Sequence, residues 1–236
     1  MTGRPFHVLA QPTGAICNLD CSYCFFLEKE DLYPGSSFRM SDEVLESYLR
    51  QVIASEPSDR VTVSWQGGEP TLMGKGFFRR AAQVAADLLP PGKVVDWTIQ
   101  TNGTRLDDEW CDLFLEHGYL VGLSLDGPRE HHDANRVAPR GEGTFDRVAA
   151  ADLLRRRGVE VNVLTTVNAA NGDHGLEVYR FLRDEVGARY VQLIPIVERV
   201  GPDGRTGRQV GTEVTDRSVT AEQWGQFLID VFEEWI

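Results

Sequence analysis

Val159-Glu-Val-Asn-Val-Leu164 and Val191-Gln-Leu-Ile-Pro-Ile196 are short β-branched and aliphatic runs, and between them lies a longer segment, 175–186, with helical spacing. Two such runs separated by a helix are the unit of a parallel sheet covered by helices. The same alternation extends in both directions. Strands are predicted at 6–12, 61–65, 94–100, 119–125, 159–166 and 190–196. After Ser41, a helix presents Val44, Leu45, Tyr48, Leu49, Val52 and Ile53 on one face. Further helices are predicted at 75–88, 107–117, 144–157, 175–186 and 220–235, the last opened by a capping box from Thr220 to Gln223. Six βα units predict an α/β fold, a partial (β/α)6 TIM-like barrel with a parallel sheet. The closed eight-unit barrel typically needs about 250 residues, and a doubly wound sheet is the alternative.

At 236 residues with 42% hydrophobic content, the chain can bury a sizeable core. The formal net charge of -12 opposes general nucleic-acid binding. The densest basic run, Arg155 to Arg157, ends a predicted helix and reads as a solvated face complementing the helix dipole. No long apolar span or secretory signal is present, so a cytoplasmic protein with no membrane partner is expected. Glu198 to Asp216, rich in Gly, Arg, Thr and Asp, reads as a mobile loop. The helical pattern from Phe227 to Trp235 runs to Ile236, and truncation of a longer protein is the expectation.

Three of the four cysteines fall in Cys17-Asn-Leu-Asp-Cys21-Ser-Tyr-Cys24, in the loop after the first strand. Clustered cysteines in a chain without a signal peptide point to metal or redox chemistry rather than disulfides. A structural zinc site closes with four ligands, as does a ferredoxin cluster. Three cysteines therefore point to an iron whose last position is kept for a substrate or cofactor. Cys111, alone in a helical run, reads as a buried thiol.

Other polar motifs follow successive strands, on the face where barrel enzymes build their sites. Gln66-Gly-Gly-Glu-Pro70 could bring backbone close to a ligand, or be a plain turn. Gln100-Thr-Asn-Gly103 and Ser124-Leu-Asp-Gly-Pro128 could likewise be sites or turns. His131-His132 reads as a pair meeting solvent on an exposed polar loop, and Gly141-Glu-Gly143 lacks the context of a dinucleotide fingerprint.

The C-x3-C-x2-C loop with Tyr23 before its last cysteine resembles the signature of the radical S-adenosylmethionine superfamily. The resemblance implies a [4Fe–4S] cluster on Cys17, Cys21 and Cys24, whose unique iron chelates S-adenosylmethionine and whose electron cleaves it to a 5′-deoxyadenosyl radical. It implies further that Gly68 and Glu69 hold the amino end of S-adenosylmethionine. Ser124 and Arg136 would contact it, an arginine fork suiting a carboxylate, and the Tyr23 main chain and Val197 would flank the adenine. Gln-Gly-Gly-Glu-Pro-Thr-Leu, Gln-Thr-Asn-Gly-Thr and Val121-Gly-Leu-Ser-Leu-Asp-Gly-Pro128 further resemble the anaerobic sulfatase-maturating branch. Its members oxidise a cysteine or serine of a sulfatase to Cα-formylglycine.

In that branch, auxiliary clusters and an aspartate base lie in a cysteine-rich C-terminal extension, yet no cysteine follows Cys111 here. Residues 1–236 are accordingly expected to be the radical core, with the base outside the chain. Expected partners are a polypeptide substrate and a reduced flavodoxin or ferredoxin. A maturase of a ribosomally made peptide, forming a thioether or carbon–carbon crosslink, is the alternative within the superfamily. A non-catalytic iron–sulfur sensor or electron carrier is the alternative outside it, but gives no reason for the Gly-Gly-Glu-Pro stretch or Arg136.

Overall fold

The computed structural model describes residues 6–148, 150–201 and 211–236. Six strands form one sheet: β1 (Leu9–Ala10), β2 (Arg60–Trp65), β3 (Val94–Thr101), β4 (Leu120–Ser124), β5 (Glu160–Val167) and β6 (Val191–Pro195). Every neighbouring pair is parallel, and the spatial order is β1-β2-β3-β4-β5-β6. Strictly sequential order has no switch point, which rules out the doubly wound alternative. β1 and β6 are not paired, so the sheet is an open, partial barrel.

The helices connecting these strands are α1 (Asp42–Ser55), α2 (Lys75–Leu88), α3 (Asp108–His117), α4 (Arg129–Asp133), α5 (Ala150–Arg157) and α6 (Gly175–Arg180), with α7 (Ala221–Trp235) after β6. Their starts were legible for a local reason. The side chains of Ser41, Asp107 and Thr220 each accept a backbone N–H in the first turn, satisfying donors that a helix start leaves free. The capping box of Thr220 and Gln223 is formed in full.

Apolar side chains on the outer face of the sheet meet these helices. Val61, Val63, Trp65, Trp97, Ile99 and Val121 are buried against Leu45 and Leu49 of α1, Phe78 and Ala81 of α2, and Phe114 of α3. Trp65 stacks on Trp97 at 6.2 Å and Trp97 on Tyr119 at 5.7 Å. A second cluster gathers Leu123, Val163 and Val167 with Val178, Leu182 and Phe227. Cys111, fully buried among the first cluster, is the packing thiol expected.

The inner face is different. It carries Ser64, Thr98, Gln100, Asn162 and Gln192, which border a concavity rather than a second helical layer. Thr98 Oγ1 donates to Ser64 Oγ at 2.9 Å. Helices thus cover one face, and the sheet curls its polar face inward.

Four segments depart from expectation. Pairing of β1 is confined to Leu9 and Ala10, because Pro12 has no N–H and the chain turns at once, Gly14 N donating to Gln11 O at 3.0 Å. The expected helix 144–157 is a 3₁₀ turn at Phe145–Val148 followed by α5, and 175–186 is α6 followed by a π-helical turn at Phe181–Glu185. The flanks of the expected mobile loop 198–216 pair as an antiparallel ribbon, β7 (Arg199–Val200) with β8 (Glu213–Val214); residues 202–210 lie outside the described residues. Among the described residues no helix is long and apolar enough to cross a membrane.

Phe78 is fully buried and packs edge-on against Trp65, Phe77 and Trp110. Phe78→Ala should cost about 3–5 kcal/mol of stability, read as a lowered urea midpoint with little change in slope.

Candidate functional site

Because every strand is parallel, all six C-terminal ends open on one rim. The register sets their heights: Trp65 pairs with Ile99, Thr101 with Leu123, and Ser124 with Leu164. Gln66-Gly67-Gly68, Gln100-Thr101-Asn102, Ser124, Leu164 and Ile194 to Val197 consequently border one cavity of about 380 Å³. Cys17, Cys21 and Cys24 close its side from the loop after β1.

The cysteine loop is strapped down by strand ends. Glu69 N donates to Ile16 O at 2.9 Å, and Gly68 fits there only as glycine: its φ is +45°, and a Cβ would collide with the Ile16 carbonyl. Leu19 N and Asn102 Nδ2 point at Cys17 Sγ from 3.4 and 3.6 Å, and Asn102 Nδ2 also donates to Asn18 Oδ1 at 3.0 Å. On the far side, Asp20 N donates to Val137 O at 2.8 Å and Ser22 N to Asn135 O at 3.0 Å.

Burial pushes the Cys17 thiol up to about 11 and the Cys21 thiol up to about 12, Arg136 pulling the latter back. Three neighbouring thiolates in such a place need a cationic centre, which deprotonates a coordinating thiol outright. The sulfurs are not all within 4.8 Å of one another. A single zinc ion with bonds of ~2.3 Å would hold its ligand sulfurs about 3.8 Å apart, closer than this trio stands. No other cysteine and no histidine borders the cavity among the described residues.

Tyr23, Gly68, Ser124, Arg136 and Val197 all border the cavity, as their proposed roles require. Ser124 is oriented by Gln100, whose Nε2 donates to its Oγ at 2.9 Å across the space left by the missing side chain of Gly122. Val197 is half exposed at the end of β6.

The side chain of Glu69 points away from the cavity. Its carboxylate does not border the cavity; it is fully buried and accepts from Thr71 N (3.0 Å), Thr71 Oγ1 (2.6 Å), Thr101 Oγ1 (2.8 Å) and Asn102 N (2.8 Å). Burial raises its pKa while these four donors pull it back. The side chain ties the turn after β2 to the end of β3.

Arg136 is buried and already paired. Its Nε and Nη2 donate to Asp126 at 2.9 and 3.2 Å, and Asp126 also accepts from Thr166 N at 2.9 Å and from the Tyr23 hydroxyl. Burial works against the guanidinium charge, and the attraction of Asp126, joined by Tyr23 and Cys21, together outweighs it, so the group is held above its ordinary pKa. The edge expected to grip a ligand carboxylate is spent on Asp126, leaving Nη1. Asp126 is the residue that motif reading passed over: it stood inside Ser-Leu-Asp-Gly-Pro, where Asp-Gly reads as a turn.

The expectation of solvent-exposed histidines also fails. His131 and His132 lie in α4, and both are buried. His132 Nδ1 accepts from Asp126 N at 3.5 Å and its Nε2 lies 3.2 Å from Thr144 Oγ1, which in turn donates to Arg136 O at 2.8 Å. Burial pushes the His132 pKa down to about 4, so the ring is a neutral spacer in the loop that places Arg136.

A partial parallel barrel with three cysteines at the strand ends, beside a polar cavity, defines a class of enzyme that holds an iron–sulfur cluster next to a small organic cofactor. Residues 12–182 match the Radical SAM superfamily, and the chain belongs to that superfamily, which uses a [4Fe–4S] cluster and S-adenosylmethionine. Over 99% of its length it is 40% identical to the serine-type anaerobic sulfatase-maturating enzyme of Bacteroides thetaiotaomicron, covering 58% of that protein. The cysteine-type enzyme of Clostridium perfringens is 32% identical over 98% of this chain and 60% of its own. Among solved structures, native anSMEcpe with bound AdoMet superposes with a TM-score of 0.82 at 32% identity, over 96% of this chain and 60% of that one. The same protein with AdoMet and the Cp18Cys peptide gives 0.81 at 32% identity, over 96% and 58%.

Glu69→Gln keeps the shape but turns an amide NH₂ toward a backbone N–H. It should cost about 1–3 kcal/mol in urea unfolding and lower the iron bound per chain after reconstitution, since the tie beneath the cysteine loop is weakened.

Proposed function

We propose that residues 1–236 form the radical core of an anaerobic sulfatase-maturating enzyme that oxidises a serine or cysteine side chain of a sulfatase to Cα-formylglycine. The observation that carries this reading is the convergence of three cysteines and five strand ends on one cavity. The 40% identity to a serine-type relative selects the branch. When bound on Cys17, Cys21 and Cys24, a [4Fe–4S] cluster supplies the electron that splits S-adenosylmethionine to a 5′-deoxyadenosyl radical.

The protein's own groups bind and shield. The Gly67-Gly68 backbone would offer polar groups to the amino end of the cofactor, and Arg136 would donate to its carboxylate. Ser124, held by Gln100, would add a hydroxyl, while the Tyr23 backbone and Val197 would flank the adenine. Leu19, Leu164 and Ile196 border the same cavity and keep water from a reactive centre. Two hydrogens leave a serine substrate in all: one as an atom from Cβ, the other as a proton with its electron passing onward. The proton acceptor is placed outside this chain. Glu198, the carboxylate bordering the cavity, is held through Oε2 by Arg217 Nε at 3.1 Å and Thr215 Oγ1 at 2.9 Å. The reading also takes a reduced flavodoxin or ferredoxin as electron donor and a cytoplasmic setting.

After anaerobic reconstitution and reduction, the chain should form 5′-deoxyadenosine from S-adenosylmethionine, and Cys17→Ala, Cys21→Ala and Cys24→Ala should each abolish it. In the full-length protein, a sulfatase-derived peptide should lose two hydrogens at serine, or exchange cysteine sulfur for an aldehyde oxygen, by mass spectrometry. A crosslinked peptide instead would assign the peptide-maturase alternative. A loaded cluster that forms no deoxyadenosine in the full-length protein would leave the sensor or electron carrier.

A further inference from the structure

Outside the cavity, α4 and the start of α6 bring together three side chains able to bind a metal. His174 is the N-cap of α6 and Glu177 lies in its first turn, three residues on and on the same face. His131 reaches them from α4. Among the described residues this is the one trio of His, Cys, Asp and Glu whose ligand atoms all lie within 4.8 Å of one another.

The distances fit a tetrahedral ion. Glu177 Oε2 is 3.4 Å from His131 Nε2 and 3.1 Å from His174 Nδ1. Zinc with bonds of about 2.0–2.1 Å to nitrogen and oxygen sets its ligand atoms roughly 3.3 Å apart. The His131 tautomer points the same way. Its Nδ1 is 3.1 Å from the Ala170 carbonyl, which can only accept, so Nδ1 carries the proton. With Nδ1 committed to that carbonyl, Nε2 is the ring atom that faces the Glu177 carboxylate, where it can give a lone pair to a metal. Metal-bound histidines are commonly fixed in this way, the other ring nitrogen donating to a backbone carbonyl.

The surroundings favour positive charge as well. Glu130 Oε1 is 3.8 Å from His131 Nε2. The His131 and His174 rings pack at 4.5 Å, which limits their rotation. His131 is buried, whereas the side chains of His174 and Glu177 are 47% and 46% exposed, so a metal can enter from solvent and keep a water as fourth ligand.

We propose that His131, His174 and Glu177 form a zinc site that staples α4 to α6 on the outside of the barrel. It is separate from the cysteine site in place and in donor chemistry, using nitrogen and oxygen where the cysteines offer sulfur. Its consequence for the cavity is indirect. Arg136 lies just beyond α4, and a staple at His131 restrains the segment that carries it.

The test uses the cluster-loaded protein, whose cysteines are occupied, dialysed anaerobically against zinc and analysed for zinc and iron. About one zinc per chain is expected, with an X-ray absorption edge fitted by nitrogen and oxygen alone. His174→Ala and Glu177→Gln should each weaken zinc binding roughly a hundredfold or more, with iron content and circular dichroism unchanged. The second variant preserves size in case the first disturbs α6. Sulfur in the zinc shell, or equal binding by wild type and both variants, would overturn the assignment. Absence of bound zinc would do so too, making the trio a hydrogen-bonded imidazolium.

Discussion

One buried carboxylate holds the rim of this barrel together. Glu69 collects four hydrogen bonds, two from Thr71 in the turn after β2 and two from Thr101 and Asn102 at the end of β3, while its own N–H reaches Ile16 at the root of the cysteine loop. A carboxylate removed from water is tolerated only when its lone pairs are met, so the position of each donor is fixed by the need of the acceptor. Cys17 inherits that order through Asn102 and Leu19. The Cys17 thiol is therefore positioned from beneath by the end of β3, while Asn135 and Val137 hold the loop around Cys21 from the other side.

Asp126 performs the matching task across the cavity. It gathers Arg136, the Tyr23 hydroxyl and the Thr166 N–H, joining β4, β5 and the cysteine loop. A buried ion pair gains little net stability over an apolar substitute, but losing one partner strands the other at high cost. Here the pair fixes position: Arg136 presents one edge to the cavity because Asp126 holds the other. The two carboxylates are not interchangeable, since Glu69 meets neutral donors and Asp126 meets a cation.

Much of this was legible in the sequence. Strands and helices followed from the β-branched runs and from caps such as Ser41 and Thr220, because those signals are local. The cysteine loop, Gly68, Ser124 and Arg136 were legible as motifs. The four bonds of the buried Glu69 carboxylate were not legible, since spacing does not tell a carboxylate pointing at a ligand from one pointing into the protein. His131 and His132 were misread because a polar stretch after a turn resembles a solvated loop. Their burial depends on Thr144, Phe145 and Ala170, which contact them only in three dimensions. Asp126 was hidden by its own turn chemistry.

The open seam between β1 and β6 sets a rule about what such a vessel can admit. A closed barrel measures its guest, because whatever reacts must fit inside the wall. A sheet that never closes places no upper limit on the length of the guest, only on the side chain that reaches the centre. On the reading proposed above, the polar inner wall would serve one residue of a large polypeptide, and the choice among polypeptides would pass to contacts outside the wall. Such a core can stay nearly constant while its clients change.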